Sequence, residues 1–125
     1  MILYLVIPCY NEQEVLHETA KQLKEKMNSL CGMGKISPKS RIVFVDDGSK
    51  DETAAIADRY AAEYPDIVKA VHQENGGHGE AVNTGLKNAT GKYFKVVDSD
   101  DWVDLESYKK ILDKLREFEQ ENTQI

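Results

Sequence analysis

Cysteine is scarce in this sequence, and positive charge is in deficit. The two cysteines, Cys9 and Cys31, have neither CxxC spacing nor a second pair of ligands beside them, which argues against a cysteine metal site. Cys9 is expected to be a small buried residue at the end of a strand, and both cysteines fit a reducing compartment. We therefore expect a cytoplasmic protein, with attachment to the inner face of a membrane as an alternative for a longer chain.

Acidic residues outnumber basic ones, 22 to 16, so the net charge is −6. A surface of this sign disfavours nucleic acid and anionic membranes as partners, and an anionic ligand would need a metal ion or a local group to compensate its charge. The apolar start, "MILYLVIPCYN", lacks a basic leader and turns polar after about eight residues. It predicts a buried strand, not a signal peptide or a membrane span.

The chain of 125 residues is long enough for one domain, in which strand-like and helix-like segments alternate. Apolar runs at Ile2–Ile7 and Ile42–Val45 predict two central strands that are covered on both faces. The more polar "DIVKAVHQ" predicts a strand nearer the edge, and "YFKVV" predicts a fourth strand. The expected fold is an α/β, Rossmann-like three-layer sandwich with a mostly parallel sheet in the order 3-2-1-4.

Three of the four predicted helices are expected to begin at a capping residue. Asn11 with Glu14 predicts a cap for the first helix, and Ser49 with Glu52 predicts a capping box for the second. A last helix is predicted to begin after Asp104.

The most unusual residues follow the predicted strands. The strands end in or run into "PCYNE", "DDGS", "ENGGHG" and "DSDD". Parallel α/β sheets bind ligands beyond the carboxyl ends of their strands, where the strand order reverses. If the first and fourth strands are neighbours, the acids of strands two and four flank one crevice, and this convergence predicts the functional site.

Each motif also has a purely structural interpretation. Acids such as those of "DSDD" favour turns and helix caps, although carboxylates two residues apart can also present oxygen ligands to Mg²⁺ or Mn²⁺. The glycines of "NGGHG" could form only a flexible loop, or they could let backbone amides approach a phosphate while His78 adds a donor. Tyr10 could pack inside the protein or stack on a base. The loop matches neither the dinucleotide-binding fingerprint nor a Walker loop.

Three long stretches resemble, in order and spacing, the signatures of family 2 glycosyltransferases. They are "LVIPCYNE", "IVFVDDGSKDET" and "NGGHGEAVNTGLKNATGKYFKVVDSDDWVD", and together they span nearly the whole chain. The resemblance implies the GT-A fold. It also implies transfer of a sugar, with inversion, from a nucleoside diphosphate sugar (typically a UDP-sugar) to a saccharide or lipid-linked acceptor, as in cell-wall or polysaccharide biosynthesis.

The same resemblance implies which residues bind the nucleoside. Pro8 and Tyr10, together with Glu12, would line the nucleoside pocket. Asp47 would hydrogen-bond the base, typically uracil, and Asp46 would support that turn.

The remaining donor-site residues are implied by the two later motifs. Asn75, Gly77 and His78 would border the nucleotide. Asp98, with Ser99 beside it, would contact the ribose or the donor sugar.

The resemblance also implies a Mg²⁺ or Mn²⁺ site in the DxD motif. Asp100 would hold the metal on the diphosphate, with Asp98 and Asp101 as its neighbours. Like charges packed after an apolar strand are costly, and a metal with a diphosphate would complete and neutralise the cluster. The metal would also neutralise charge on the leaving nucleoside diphosphate.

The general base of this family comes from the half that follows the metal motif, and no acid of this chain matches it. We therefore expect residues 1–125 to be the donor-binding, N-terminal part of a larger, truncated GT-A domain that has little activity alone. A homodimer that covers the fourth strand or the exposed face beside Trp102 is expected for the isolated chain. Two alternatives are a non-catalytic sugar-nucleotide-binding module, which would share these residues, and a receiver-type signalling domain. The receiver domain would need an acid pair after strand one and a lysine after a fifth strand.

Overall fold

The computed structural model describes residues 2–89, 93–97 and 113–114. Within these residues strands and helices alternate: β1 (Leu3–Cys9), α1 (Gln13–Gly32), β2 (Arg41–Asp47), α2 (Thr53–Glu63), β3 (Val68–Gln73), α3 (His78–Asn88) and β4 (Tyr93–Val96). The strand pairs are parallel and the order is β3-β2-β1-β4. The structure therefore confirms the predicted sheet, its order and the edge position of β3.

The two most apolar strands form the centre of the sheet. Every residue of β1 is buried, and so is every residue of β2 after Arg41. The strands are in register with Val6 beside Val43 and Ile7 beside Phe44. Because burial of one such side chain contributes about 1.5–3 kcal/mol, these runs are most stable between two neighbouring strands and under helices on both faces.

The helices cover the two faces of the sheet unequally. Leu16, Leu23 and Met27 of α1 belong to the same buried cluster as Ile56 and Tyr60 of α2, on one face. The opposite face holds a smaller cluster around Val6 and Val43, to which α3 contributes Ala81. No helix among the described residues is both long enough and apolar enough to cross a membrane.

The helix predicted after Asp104 falls almost entirely outside the described residues. Asp113 and Lys114 are described and are helical. The Asp113 carboxylate accepts hydrogen bonds from Lys35 Nζ at 2.8 and 3.0 Å, next to the turn that follows α1. This ion pair joins the end of α1 to a segment that lies 78 residues further along the chain.

A glycine in α3 permits the close approach of this helix to the sheet. A Cβ atom on Gly85 would lie 2.2 Å from Cγ1 of Val6, whose side chain is fully buried in β1. A β-branched side chain in a packed core has little freedom to move aside. Only glycine therefore allows α3 to rest directly on β1 at this position.

His72 joins three elements at the carboxyl end of the sheet. Its Nδ1 lies 3.1 Å from Oδ2 of Asp46 on β2, and its Nε2 lies 2.7 Å from Oδ1 of Asp58 on α2. The hydrogen bond to Asp58 raises the pKa of His72; the contact with Asp46 adds to this, while burial opposes it. The protonated imidazole can donate from both nitrogens and so satisfies both carboxylates.

Gly85→Ala is expected to lower the free energy of unfolding by up to about 2 kcal/mol. Overpacking a core costs about 1–3 kcal/mol, whereas alanine gains roughly 1 kcal/mol over glycine in helix propensity. The cost therefore equals or exceeds the gain. Gly79→Ala is the matched control in the same helix, because nothing lies within 4 Å of its added Cβ. Urea denaturation measures both variants, and equal stabilities would contradict the close packing of α3 on Val6.

The stabilising contribution of His72 is expected to depend on pH. Because the folded pKa lies above the unfolded value of about 6.5, the contribution is fully present below about pH 6.5 and is lost as the pH rises through the folded pKa. The difference in unfolding free energy between wild type and His72→Gln should thus be larger near pH 6 than near pH 9. It should stay below about 1 kcal/mol, because the His72 side chain is 41% exposed.

Urea denaturation at the two pH values tests the His72 bridge. His78→Gln is the control, since His78 is exposed at the first residue of α3. A stability difference for His72→Gln that is the same at both pH values would rule out the charged bridge.

Candidate functional site

The predicted motifs meet at one edge of the sheet. Cys9 is in register with Asp46, and Asp47 is in register with Gln73, so the carboxyl ends of β1, β2 and β3 lie side by side. On the other side of β1, the amide of Val97 donates to the carbonyl of Val6 at 2.9 Å, so β4 runs toward the same edge. The structure therefore brings "PCYNE", "DDGS" and "ENGGHG" together, as predicted.

The acidic motif that follows β4 lies outside the described residues. This applies to all the predicted ligands of the metal and to the predicted sugar contacts: Asp98, Ser99, Asp100 and Asp101. Among the described residues, no three histidine, cysteine, aspartate or glutamate side chains are grouped closely enough to hold a metal ion.

Asp47 is the most enclosed carboxylate at this edge, with a 4% exposed side chain. Its Oδ1 accepts hydrogen bonds from Gln73 Nε2 at 2.8 Å and from the amide of Gly76 at 2.9 Å. Its Oδ2 accepts one from the amide of Gly77 at 3.0 Å. The glycine-rich loop thus folds over Asp47, and two of its backbone amides donate hydrogen bonds to this carboxylate.

These hydrogen bonds keep the Asp47 carboxylate ionised. Burial by itself raises the pKa of Asp47, and the donors Gln73, Gly76 and Gly77 outweigh that effect, so that the pKa lies below its ordinary value. An ionised carboxylate can only accept hydrogen bonds. Asp47 is therefore suited to bind a group that presents an N–H or O–H.

Gly48 makes the turn that places Asp47 against the loop. Its φ is +72°, and an added Cβ would lie 2.7 Å from the amide nitrogen of Asn75. The Asn75 side chain donates to the carbonyl of Asp47 at 3.1 Å. A side chain at position 48 would be strained by its backbone and would also push the loop away.

Asp46 holds the other side of this turn. It is buried, its Oδ1 accepts the amide of Ser49 at 3.0 Å, and its Oδ2 faces His72. Asp46 thus links the end of β2 to Ser49 and to His72.

The predicted helix caps at Asn11 and Ser49 are wrong. Helix α1 begins at Gln13 and α2 at Thr53, and neither has a side-chain cap at the residue before it. Instead, the amide of Asn11 donates to Ser49 Oγ at 3.0 Å, and the amide of Lys50 donates to Asn11 Oδ1 at 2.8 Å. The two loops are thus joined by exchanged hydrogen bonds, and Asn11 adopts a φ of 51° that asparagine tolerates well.

The same exchange continues into the first turns of both helices. The amide of Glu12 donates to Thr53 Oγ1 at 2.7 Å, and the amide of Glu52 donates to Gln13 Oε1 at 2.9 Å. Asp51 accepts from Thr53 and from the amide of Gln13. Each helix start supplies acceptors for the free amides of the other.

The segment predicted to line a nucleoside pocket divides into buried and exposed parts. Pro8 and Cys9 are buried, and Cys9 is a small residue at the end of β1, as predicted. Burial raises the pKa of the Cys9 thiol, and Asp46 and Glu12 add to this, so the thiol stays protonated. Tyr10 is 43% exposed, which leaves its ring available to a ligand.

The glycine-rich loop leads into α3. Asn75, Gly77 and His78 are all exposed, and Gly77 precedes the helix with a φ of 93°. The sequence motifs did not indicate two structurally important residues: Gln73, which binds Asp47, and Thr84, whose Oγ1 contacts Gln73 Oε1. The position of Gln73, directly before the loop at the end of a strand, was the available signal.

An open groove of about 530 Å³ lies at the opposite end of the sheet. It is lined by Arg41 at the start of β2, by Lys69 on β3 and by Asn88 at the end of α3, among others. It contains none of the residues of the predicted site.

Several curated proteins with similar sequences are glycosyltransferases. The chain is 36% identical over 99 residues to the uncharacterized glycosyltransferase YkoT of Bacillus subtilis (strain 168), covering 79% of this chain and 29% of that protein. It is 31% identical over 105 residues to the poly(ribitol-phosphate) beta-N-acetylglucosaminyltransferase TarS of Staphylococcus aureus (strain Mu50 / ATCC 700699), covering 84% of this chain and 17% of TarS. The chain thus spans less than a third of either relative.

Solved structures with similar folds are also glycosyltransferases. The mannosyltransferase PcManGT from Pyrobaculum calidifontis, in complex with GDP-Man and Mn²⁺, superposes with a TM-score of 0.71 at 27% identity, over 86% of this chain and 30% of that one. S. aureus TarS 1-349 in complex with UDP-GlcNAc superposes with a TM-score of 0.64 at 30% identity, over 94% of this chain and 32% of that one. These neighbours have the GT-A fold, in agreement with the sheet described above.

The family profile described as "Glycosyl transferase family 2" matches residues 4–123. This match includes the turn at Asp46 and Asp47, the loop at Asn75–His78 and the acidic motif after β4. The chain therefore belongs to glycosyltransferase family 2.

Proposed function

We propose that this chain is the donor-binding part of a metal-dependent, inverting glycosyltransferase that uses a UDP-sugar. The observation that carries the proposal is the enclosed, ionised Asp47 at the carboxyl edge of the sheet, where Gln73, Gly76 and Gly77 hold it. Membership of the family supplies the reaction class, and Asp47 supplies the means to bind the nucleobase.

The chemistry of Asp47 favours a base with a ring N–H. Uracil and guanine carry such a group, whereas the corresponding ring nitrogens of cytosine and adenine are acceptors, which an ionised carboxylate would repel. A site with a buried acceptor discriminates strongly against a ligand that cannot satisfy it. TarS binds UDP and UDP-GlcNAc and PcManGT binds GDP-Man, so the solved neighbours hold bases of this type.

The other donor contacts follow from the positions of the motifs. Pro8, Tyr10 and Glu12 would line the nucleoside pocket, with the exposed ring of Tyr10 available for stacking on the base. Asp46 would support the turn that carries Asp47. Asn75, Gly77 and His78 would border the nucleotide, and Asp98 with Ser99 would contact the ribose or the sugar.

Mg²⁺ or Mn²⁺ would be held by Asp100, with Asp98 and Asp101 beside it. Three carboxylates within four residues are hard oxygen ligands of the kind that both ions prefer, and in the sequence they follow Val97, which lies at the edge shared with Asp47. When bound, the metal would offset the charge of the diphosphate leaving group. The Mn²⁺ complex of PcManGT supports the choice of ion.

The acceptor and the general base belong to the whole enzyme. A saccharide or lipid-linked acceptor of cell-wall or polysaccharide synthesis is our proposal, supported by the relatives TarS and the minor teichoic acid biosynthesis protein GgaB of Bacillus subtilis (strain 168). Transfer in the cytoplasm is part of the proposal, in line with the free thiols of Cys9 and Cys31. A module that only binds sugar nucleotides is the second candidate, since the chain spans less than a third of the solved relatives.

Asp47→Ala and Asp100→Ala are each expected to weaken UDP binding in the presence of Mn²⁺ about tenfold or more. Loss of one hydrogen-bonded or metal-linked carboxylate costs about 1.5–3 kcal/mol. Calorimetry measures the affinities, with Asp66→Ala as the control because Asp66 is exposed near the opposite end of the sheet. Wild-type affinity for UDP in both Asp47→Ala and Asp100→Ala would contradict the site assignment.

The isolated chain is expected to show at most slow hydrolysis of the donor and to self-associate. Transfer needs a base that activates the acceptor, and no such base is assigned within residues 1–125. Within the described residues β4 pairs only with β1, and its Phe94 is 53% exposed, so a second copy could cover this strand.

Two measurements test these expectations separately. A transferase assay with a panel of acceptors would contradict the first if turnover reached an ordinary enzymatic rate. Light scattering would contradict the second if the protein remained a monomer across concentrations.

A further inference from the structure

The Asp47 carboxylate has acceptor capacity beyond its contacts inside the protein. Its two oxygens offer about four acceptor positions. The described residues supply three donors: two to Oδ1, from Gln73 and Gly76, and one to Oδ2, from Gly77. Oδ2 can therefore accept one further N–H, provided that the carboxylate is held in its present orientation.

Gln73 supplies the side-chain donor among these three. The other two are backbone amides of the loop, which any sequence would provide once the loop has this shape. Gln73 lies on β3 in register with Asp47, so its donor comes from a different element than the loop. It thereby ties the carboxylate to the sheet as well as to the loop.

Thr84 supports the orientation of the Gln73 amide that Asp47 requires. The carboxylate can only accept, so the amide must present Nε2 to it, and Oε1 then points to Thr84 Oγ1 on α3. The Thr84 hydroxyl donates to Oε1 in this arrangement. The reversed amide would place its oxygen against the carboxylate, and Thr84 stabilises the correct orientation.

We infer that Thr84 and Gln73 form a positioning relay that holds the Asp47 carboxylate ready to accept a ring N–H of the donor nucleobase. The inference rests on the proposed role of Asp47 and adds to it two residues that do not touch the base. The relay connects α3, β3 and β2, so the rigid elements and not the loop alone define the base-recognition geometry.

The electrostatic surroundings agree with this assignment. The Gln73 hydrogen bond is the first of the contacts that lower the pKa of Asp47 against the effect of burial. Two neighbouring carboxylates are not part of the relay. Asp46 accepts the amide of Ser49 and faces His72, and Glu80 of α3 lies beside Gly76. Loss of the relay should therefore raise the pKa of Asp47.

Thr84→Val removes the hydroxyl and keeps the shape of the side chain, whereas Thr84→Ser keeps the hydroxyl. Gln73→Met removes the amide at similar length, and Asn83→Ala, at an exposed position of α3, is the control. We expect Thr84→Val and Gln73→Met to weaken UDP binding about three- to tenfold, in the presence of Mn²⁺, and to reduce the preference for UDP over CDP. Thr84→Ser and Asn83→Ala should retain wild-type values.

A titration of the Asp47 carboxyl carbon by NMR, without nucleotide, provides a second measurement. We expect a higher pKa of Asp47 in Thr84→Val and Gln73→Met, and the wild-type pKa in Thr84→Ser and Asn83→Ala. A merely structural role of Thr84 would change neither this pKa nor the ratio of UDP to CDP affinity, and circular dichroism verifies that each variant is folded.

The two measurements separate failure of the relay from failure of the proposed function. An unchanged Asp47 pKa and an unchanged UDP preference in both relay variants would overturn the relay. A wild-type protein that binds neither nucleotide would overturn the proposed role of Asp47, and the carboxyl titration would still decide whether the relay positions it.

Discussion

One buried negative charge organises the functional edge of this protein. Asp47 ends a fully buried stretch of β2, where an ionised carboxylate is tolerated only if hydrogen bonds replace its hydration. The donors come from Gln73 and from the amides of Gly76 and Gly77, so the glycine-rich loop must fold back over the end of β2. The shape of that loop is therefore a consequence of the charge beneath it.

The remainder of the edge is rigid for a related reason. The first turns of α1 and α2 leave amides without partners, and the two helix starts satisfy each other through Asn11, Ser49 and Thr53. Both helices pack on the same face of the sheet, which brings their starts together. A ligand at this edge would thus meet a surface whose backbone is already fixed, and it would lose little free energy in ordering it.

Family membership gives this geometry its chemical meaning. A parallel sheet with acids after two strands is compatible with several functions, and fold alone does not choose among them. The match over residues 4–123 assigns the chain to glycosyltransferase family 2. The solved neighbours TarS and PcManGT are complexes with the nucleotide sugars UDP-GlcNAc and GDP-Man. What this chain adds is an enclosed carboxylate on β2 that is held by donors from β3 and from the loop before α3.

The sequence by itself determined the sheet, its order and the edge at which three of the motifs meet, because continuous apolar runs such as Ile2–Ile7 require central positions and parallel strands bring their carboxyl ends to one edge. It also indicated Asp46 and Asp47 as functional acids. Only the tertiary structure decided the partners of those acids. The helix caps predicted at Asn11 and Ser49 were wrong, and Gln73 and Thr84 were missed, because these hydrogen bonds join segments that local patterns treat separately. Side-chain partners across strands and loops depend on packing in three dimensions, which a local pattern does not contain.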